Sequence, residues 1–227
     1  MPTNPNEIDA AILQAESGDF GSLGTILSGL EDDDPELRMK AAYACKRIGF
    51  HSAIDPLANM ASSDHESENR IQAIYALGAC GTPAVVPPLI AALSDGDQNC
   101  REAARTALFQ VLGPKVRSQF SDEEEGGPDP SESTRLSEWW QKNEARLDPG
   151  FAYTKGALAS PGAFIRELKA TKTALPDAIY AALHDWTGQD FGKTPKPKVI
   201  AKWDKWWSEN RSRFQPGHRY FHGHLIP

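Results

Sequence analysis

Three histidines stand close together near the C-terminal end, as His218-x3-His222-x-His224. Imidazoles at that spacing on one rigid surface would hold zinc. Pro216, Gly217 and Gly223 exclude a regular helix there, and no Asp, Glu or Cys lies among the histidines. The plainer reading is a histidine-containing tail packed on the last helix, so no metal or other cofactor is expected. A second set is a row of arginines, Arg38, Arg70 and Arg101, spaced 32 and 31 residues apart. Such a row would attract an anion, or each guanidinium would pair with an acid from a nearby turn (Asp34, Asp64, Asp95 or Asp97) and fix local geometry. A third is aromatic: Trp139-Trp140 and Trp206-Trp207. These could form a ligand-binding surface. Adjacent helical residues point about 100° apart, which favours one ring of each pair packing on the preceding helices. His184-Asp185 has no nucleophile at a telling distance. There is no Gly-rich phosphate loop, no Ser/His/Asp signature and no isolated pair of carboxylates.

The arginines are positioned by an internal repeat. Three positions after each stand Ala41, Ala73 and Ala104. Six positions after stand Ala44, Ala76 and Ala107, and a glycine closes each unit (Gly49, Gly81, Gly113). A period of this size means stacked supersecondary units. Apolar residues recur with the helical period: Ile54, Leu57 and Met60, then Ile71, Ile74 and Leu77; Val86, Leu89, Ile90 and Leu93, then Ala103, Ala104, Ala107, Leu108 and Val111. Each unit is therefore two helices. Asp34-Pro35 and Thr82-Pro83 place a capping side chain before a proline at a helix start. Asn6 to Ala15 adds a capping helix.

The stretches "DDDPELRMKAAYACKRIG" and "DGDQNCREAARTALFQVLG" resemble the short bacterial HEAT-like repeat, of the type also seen in phycobilisome lyases, over about residues 20–113. The resemblance implies a right-handed all-α solenoid of helical hairpins. It implies little about activity, because such repeats serve in lyases, scaffolds, immunity proteins and regulators.

A second duplication follows. Trp-Trp-x-x-Asn-x-x-Arg and a large apolar residue occur at 139–147 and again at 206–214. Upstream, "REAARTALFQVLG" aligns with "PDAIYAALHDWTG", which marks a diverged repeat at about 160–188. With the ending "FQPGHRYFHGHL", this part resembles a module attached to HEAT-like repeats in many uncharacterised bacterial proteins. The expected organisation is repeats with an N-terminal cap over 1–115, an acidic loop over 116–135, and 136–227 as a diverged repeat flanked by two Trp-Trp helices and a tail.

Acidic residues outnumber basic ones by 31 to 24, a net charge of −7, which argues against nucleic-acid or anionic-membrane partners. Three cysteines without metal-type spacing (Cys45, Cys80 and Cys100) suggest reduced thiols. No signal peptide or membrane span is recognisable, so a cytoplasmic location is expected. The expected function is a non-catalytic scaffold with one protein partner. Its contact surface would join the helix ends near Arg70 and Arg101 to Glu123, Glu124 and Glu125 in the acidic loop. Arg38 and the four paired tryptophans are expected to be structural. An immunity-type inhibitor of a toxin is the alternative, since an acidic inhibitor suits a basic target. A lyase-like enzyme is the third reading.

Overall fold

The computed structural model describes residues 4–120, 130–170, 177–192 and 196–227. The chain begins with helix α1 (Pro5–Glu16), closed at its start by a reciprocal pair of hydrogen bonds between Asn4 and Glu7. Three helical pairs follow: α2 (Leu23–Leu30) with α3 (Pro35–Ile48), α4 (Ile54–Ser63) with α5 (Ser67–Cys80), and α6 (Val86–Ala92) with α7 (Gln98–Leu112). The carboxylates of Asp34 and Asp97 accept from backbone N–H groups of Glu36 and Asn99 at 2.9 and 2.7 Å, satisfying donors that a helix start leaves free. The closing glycines Gly49 and Gly81 take left-handed backbone conformations, φ 74° and 70°, which ends α3 and α5 cleanly.

First helices and second helices form separate layers, with α3, α5 and α7 side by side. The alanine row explains how closely they approach. At Gly78, a Cβ would lie only 2.8 Å from the Cβ of Ala107 on α7. The packed layer makes one continuous core, with Ala41, Ala44, Ala73, Ala76, Ala104 and Ala107 all buried. The molecule is an all-α solenoid.

After α7 come α8 (Pro114–Phe120) and α9 (Pro130–Asn143), then a hairpin of β1 (Tyr153–Thr154) and β2 (Ala157–Leu158). A fourth helical pair, α10 (Pro161–Ala170) and α11 (Asp177–Thr187), precedes α12 (Pro197–Asn210). A second hairpin, β3 (Tyr220–Phe221) and β4 (His224–Leu225), ends the chain. The α10–α11 pair has its own core, centred on Phe164, Ile165, Leu168, Leu183, Trp186 and Trp203. Among the described residues no helix is long and apolar enough to cross a membrane.

The two hairpins extend the Trp-Trp duplication. Trp139 and Trp206 are 67 residues apart, and so are Tyr153 and Tyr220, Lys155 and His222, and Gly156 and Gly223. Both turns have two successive positive φ angles (Lys155 54°, Gly156 76°; His222 48°, Gly223 84°), the two-residue geometry that matches strand twist. In each copy a tyrosine hydroxyl accepts from a backbone N–H at 2.9 Å, Asp148 to Tyr153 and Gln215 to Tyr220. Each asparagine of the motif bonds back to a carbonyl of its helix, Asn143 to Trp139 at 2.6 Å and Asn210 to Trp206 at 2.8 Å. That contact closes the last turn of α9 and α12.

Candidate functional site

The arginine row is a chain of ion pairs running from unit to unit. Arg38 on α3 donates to Asp64 at 2.7 and 3.1 Å, and Arg70 on α5 donates to Asp95 at 2.8 and 3.0 Å. Each also donates to a turn carbonyl of its own unit, Asp32 O or Asp64 O. Arg101 donates to the carbonyls of Asp95 and Gly96. Burial pushes Asp64 and Asp95 up, but the guanidinium and backbone hydrogen bonds outweigh it and hold both carboxyls below the usual range. Arg70 and Arg101 thus shape the turns at the starts of α5 and α7. Glu123, Glu124 and Glu125 lie outside the described residues.

The alignment that pairs the arginines also pairs the residues next to them. One position on stand Met39 and Ile71, five positions on Tyr43 and Tyr75. Met39 and Tyr43 are 38% and 52% exposed, and Ile71 and Tyr75 are half-buried. Lys46 lies over the Tyr75 ring at 5.2 Å, tying α3 to α5 across this face. The third unit has Glu102 and Thr106 there, so the apolar band stops at two units. The starts of the second helices beside it are acidic and exposed: Asp33, Asp34 and Glu36, then Glu66 and Glu68, then Glu102.

The tryptophans divide unequally. In the first copy Trp140 is buried and Trp139 half-buried. In the second copy Trp206 and Trp207 are both half-buried, and the fully buried ring is Trp203, three residues earlier, where the first copy has Leu136. Trp203 meets Phe191 at 4.8 Å and Trp206 at 5.9 Å, both edge-on. The larger residue at the inner position leaves the pair to pack around it, against Phe214.

Both hairpins seal helix ends. Lys155 N and Gly156 N donate to the carbonyls of Gln110 and Val111 in α7. His222 N and Gly223 N donate to those of Asp185 and Trp186 in α11, all at 2.6–2.9 Å. The first hairpin also reaches α5, through Tyr153 N to Gly81 O at 2.7 Å. The second reaches α3: Arg219, buried against Trp186 with its guanidinium 4.5 Å from the ring, donates to Ile48 O at 3.2 Å. Burial lowers this arginine to about 10.

The three tail histidines are not one cluster. His218 packs on the Phe151 ring at 5.5 Å, and His224 sits against Gly18. His222 instead joins His184 and Asp185 of α11, with donor atoms of all three within 4.8 Å of one another. Arg47 of α3 donates to Asp185 and to Glu16 of α1 at 3.1 Å, so the group lies where the C-terminal part meets the first helices. Burial and the neighbouring His184 and Arg47 push His222 below its ordinary value, against the pull of Glu16 and Asp185. Sequence proximity could not show this set, because His184 is 38 residues from His222.

A cavity of about 470 Å³ lies between α7–α8 and α10–α11, with Phe109, Phe164 and Ile179 among its apolar walls. Of its cations Arg105, Arg117 and Lys155, the first is paired with Glu132 and the last with Glu167. The three cysteines are free and buried. Burial pushes all three thiols up, Cys80 and Cys100 to about 11, away from the thiolate form.

A family model described as HEAT repeats matches residues 23–109, from the start of α2 into α7. Residues 136–227, with both Trp-Trp segments, lie outside that match. No curated protein matches the chain.

Proposed function

We propose that this chain is a non-catalytic scaffold that binds one protein partner on the exposed face of its second helices. HEAT repeats commonly serve as protein-interaction scaffolds. The observation that carries the reading is the band of Met39, Tyr43, Ile71 and Tyr75, which two adjacent units present at matching positions. Nothing in the packing of α3 and α5 needs Tyr43 at half exposure. Aromatic and Met side chains are the types that anchor interfaces. The acidic helix starts beside the band call for a partner with an apolar centre and a basic surround. Arg38, Arg70 and Arg101 hold the turns of that rim in shape. A rim of one sign steers association and discriminates partners more than it adds affinity. An inhibitor of a basic toxin is the narrower form of the same reading, favoured by that rim and by the net charge of −7.

The test is affinity capture from the source cell with the wild-type chain and with Tyr43→Ala/Tyr75→Ala, beside an outer-surface control, Lys205→Ala. One protein retained by wild type and control, lost from the double variant, and bound more slowly at higher salt is the expected result. Equal retention by all three removes this face as the binding surface. Turnover in an activity screen, abolished by a single polar substitution, removes the scaffold reading altogether.

A further inference from the structure

We propose that His184, Asp185 and His222 form a binding site for a divalent transition metal of the zinc type, at the seam between the C-terminal part and the start of the solenoid. Two imidazoles and a carboxylate are a borderline donor set. They suit Zn²⁺ and its neighbours in the first row, not the all-oxygen preference of Mg²⁺ or Ca²⁺. The donor atoms lie within 4.8 Å of one another, and His184 Nδ1 is 3.7 Å from Asp185 Oδ1. Around a tetrahedral metal with bonds of about 2.0–2.1 Å, donors stand about 3.4 Å apart. Small side-chain rotations therefore close the set.

The duplicated module supplies the comparison that separates a site from ordinary packing. In the first copy the same three positions are Phe109, Gln110 and Lys155. The first copy still makes the two matching backbone hydrogen bonds, Lys155 N to Gln110 O and Gly156 N to Val111 O, and Lys155 adopts the same left-handed backbone as His222. Hairpin docking therefore does not require His, Asp and His. The second copy has metal-ligating side chains at all three positions where the first has none.

The surroundings fit a cation. His222 Nε2 is sealed from water and has no hydrogen-bond partner. Glu16 Oε1 lies 3.9 Å from it and accepts from Arg47 at 3.1 Å, which leaves the fourth position to water. Two nitrogens of Arg47 reach Asp185 Oδ1, the oxygen 3.7 Å from His184 Nδ1, so a metal would share that carboxylate with Arg47. Glu16 and Asp185 carry two negative charges, matched by those of Arg47 and Arg219, so coordination rather than net charge would hold the metal. A bound metal would fasten the second hairpin to α11, beside the Arg47 pairs that join α11 to α3 and α1.

The full chain, without a histidine tag and stripped with a chelator, is titrated with Zn²⁺ alone by calorimetry and with Co²⁺ followed by its visible spectrum. One metal per chain, a tetrahedral Co²⁺ spectrum and a raised melting temperature are expected. Loss of an outer-sphere partner alone costs about 10–100-fold in affinity, so His184→Gln and His222→Asn, each removing a ligand, should weaken binding by roughly 100-fold or more. Asn tolerates the left-handed backbone at 222. Should His222→Asn fail to fold, His222→Lys repeats the residue of the first hairpin. His224→Gln should leave affinity unchanged. Absence of binding at millimolar Zn²⁺, or binding that survives both ligand substitutions, overturns the site.

Discussion

Trp203→Ala tests the reading of the C-terminal part as a duplicated module with its own core. Trp203 is fully buried, and its ring meets Phe191 and Trp206 edge-on. Truncating a buried tryptophan costs about 3–5 kcal/mol in lost transfer energy and cavity, a range that includes two aromatic contacts of about 0.5–1.5 kcal/mol each. One term opposes this. The Trp203 Nε1–H is buried with no acceptor, and an orphan of that kind costs about 1–3 kcal/mol. Trp203→Phe removes the orphan together with part of the ring, so the two effects offset and its net cost should be about 1 kcal/mol or less. Trp206→Ala, at a half-buried position, should fall between them. Leu136→Ala, at the matching buried position of the first copy, should cost about 2–5 kcal/mol. Urea unfolding followed by far-ultraviolet circular dichroism and by tryptophan fluorescence separates the possibilities. Because Trp203 packs within the second core, Trp203→Ala should give an early fluorescence change while most helix signal persists. A cost below about 1 kcal/mol for Ala, or a Phe variant as unstable as the Ala variant, would refute the reasoning.

The ion-pair chain makes stability depend on acid. Asp64 and Asp95 titrate below their ordinary values when folded, so their contribution is fully present above the unfolded value of about 4. It is lost as pH falls through the lowered folded values. The urea midpoint should drop below about pH 4, and Asp64→Asn/Asp95→Asn should flatten that drop. At pH 7 Asp95→Asn should cost about 1–3 kcal/mol, since Arg70 loses a charged partner in a mostly buried setting. A pH profile identical to wild type in the double variant counts against the pairing. Gly78→Ala should be destabilising by about 1–3 kcal/mol despite the better helix propensity of alanine, because its Cβ would meet Ala107 Cβ at 2.8 Å. Ala107→Gly should restore part of the loss in thermal melts, and a stabilised Gly78→Ala would show that α5 and α7 are not so closely packed.

Local and periodic features were legible in the sequence. The 31–32-residue spacing, the alanine rows and the Asp34-Pro35 start lead directly to paired helices, because each is a short-range consequence of helix geometry. Thr82 before Pro83, expected to cap in the same way, makes no capping hydrogen bond, since a short 3-10 turn follows it. The acid partners of the arginines were among those named, yet each of the carboxylates actually used belongs to the turn of the following unit. That choice depends on how units stack. The Trp-Trp duplication is legible in the sequence, but its continuation into Tyr-x-Lys-Gly and Tyr-x-His-Gly stands out only in the structure. Two-residue strands carry no alternation, and only the Gly after a left-handed residue marks the turn. The His222 cluster escaped because its partners lie on α11 and come together only when the hairpin docks. The band of Met39, Tyr43, Ile71 and Tyr75 also needed the structure, since one helix face looks like another until its neighbours are placed.

The two hairpins divide the surface of the molecule. A helix end leaves carbonyls unpaired, and four ends lie along one edge, those of α3, α5, α7 and α11. Ile48 O is met by Arg219, Gly81 O by Tyr153, Gln110 O and Val111 O by the first turn, and Asp185 O and Trp186 O by the second. The duplicated module thus spends both copies on the same task, and that edge is covered. The opposite edge, where α3, α5 and α7 begin, satisfies N–H groups locally through Asp34 and Asp97, packs the Asp64 and Asp95 carboxylates against arginines, and keeps Asp33, Glu36, Glu66, Glu68 and Glu102 exposed. Beside it lie Met39 and Tyr43, exposed and matched one unit on by Ile71 and Tyr75. On the proposed scaffold reading, a solenoid sealed along one edge and open along the other would direct a partner to the open one. The same asymmetry gives the histidine cluster its place, since His184, Asp185 and His222 sit where the seal closes on the first helices. Metal and partner would then act on different edges of one rigid layer, so occupancy of the metal site should stabilise the fold without competing for the binding face.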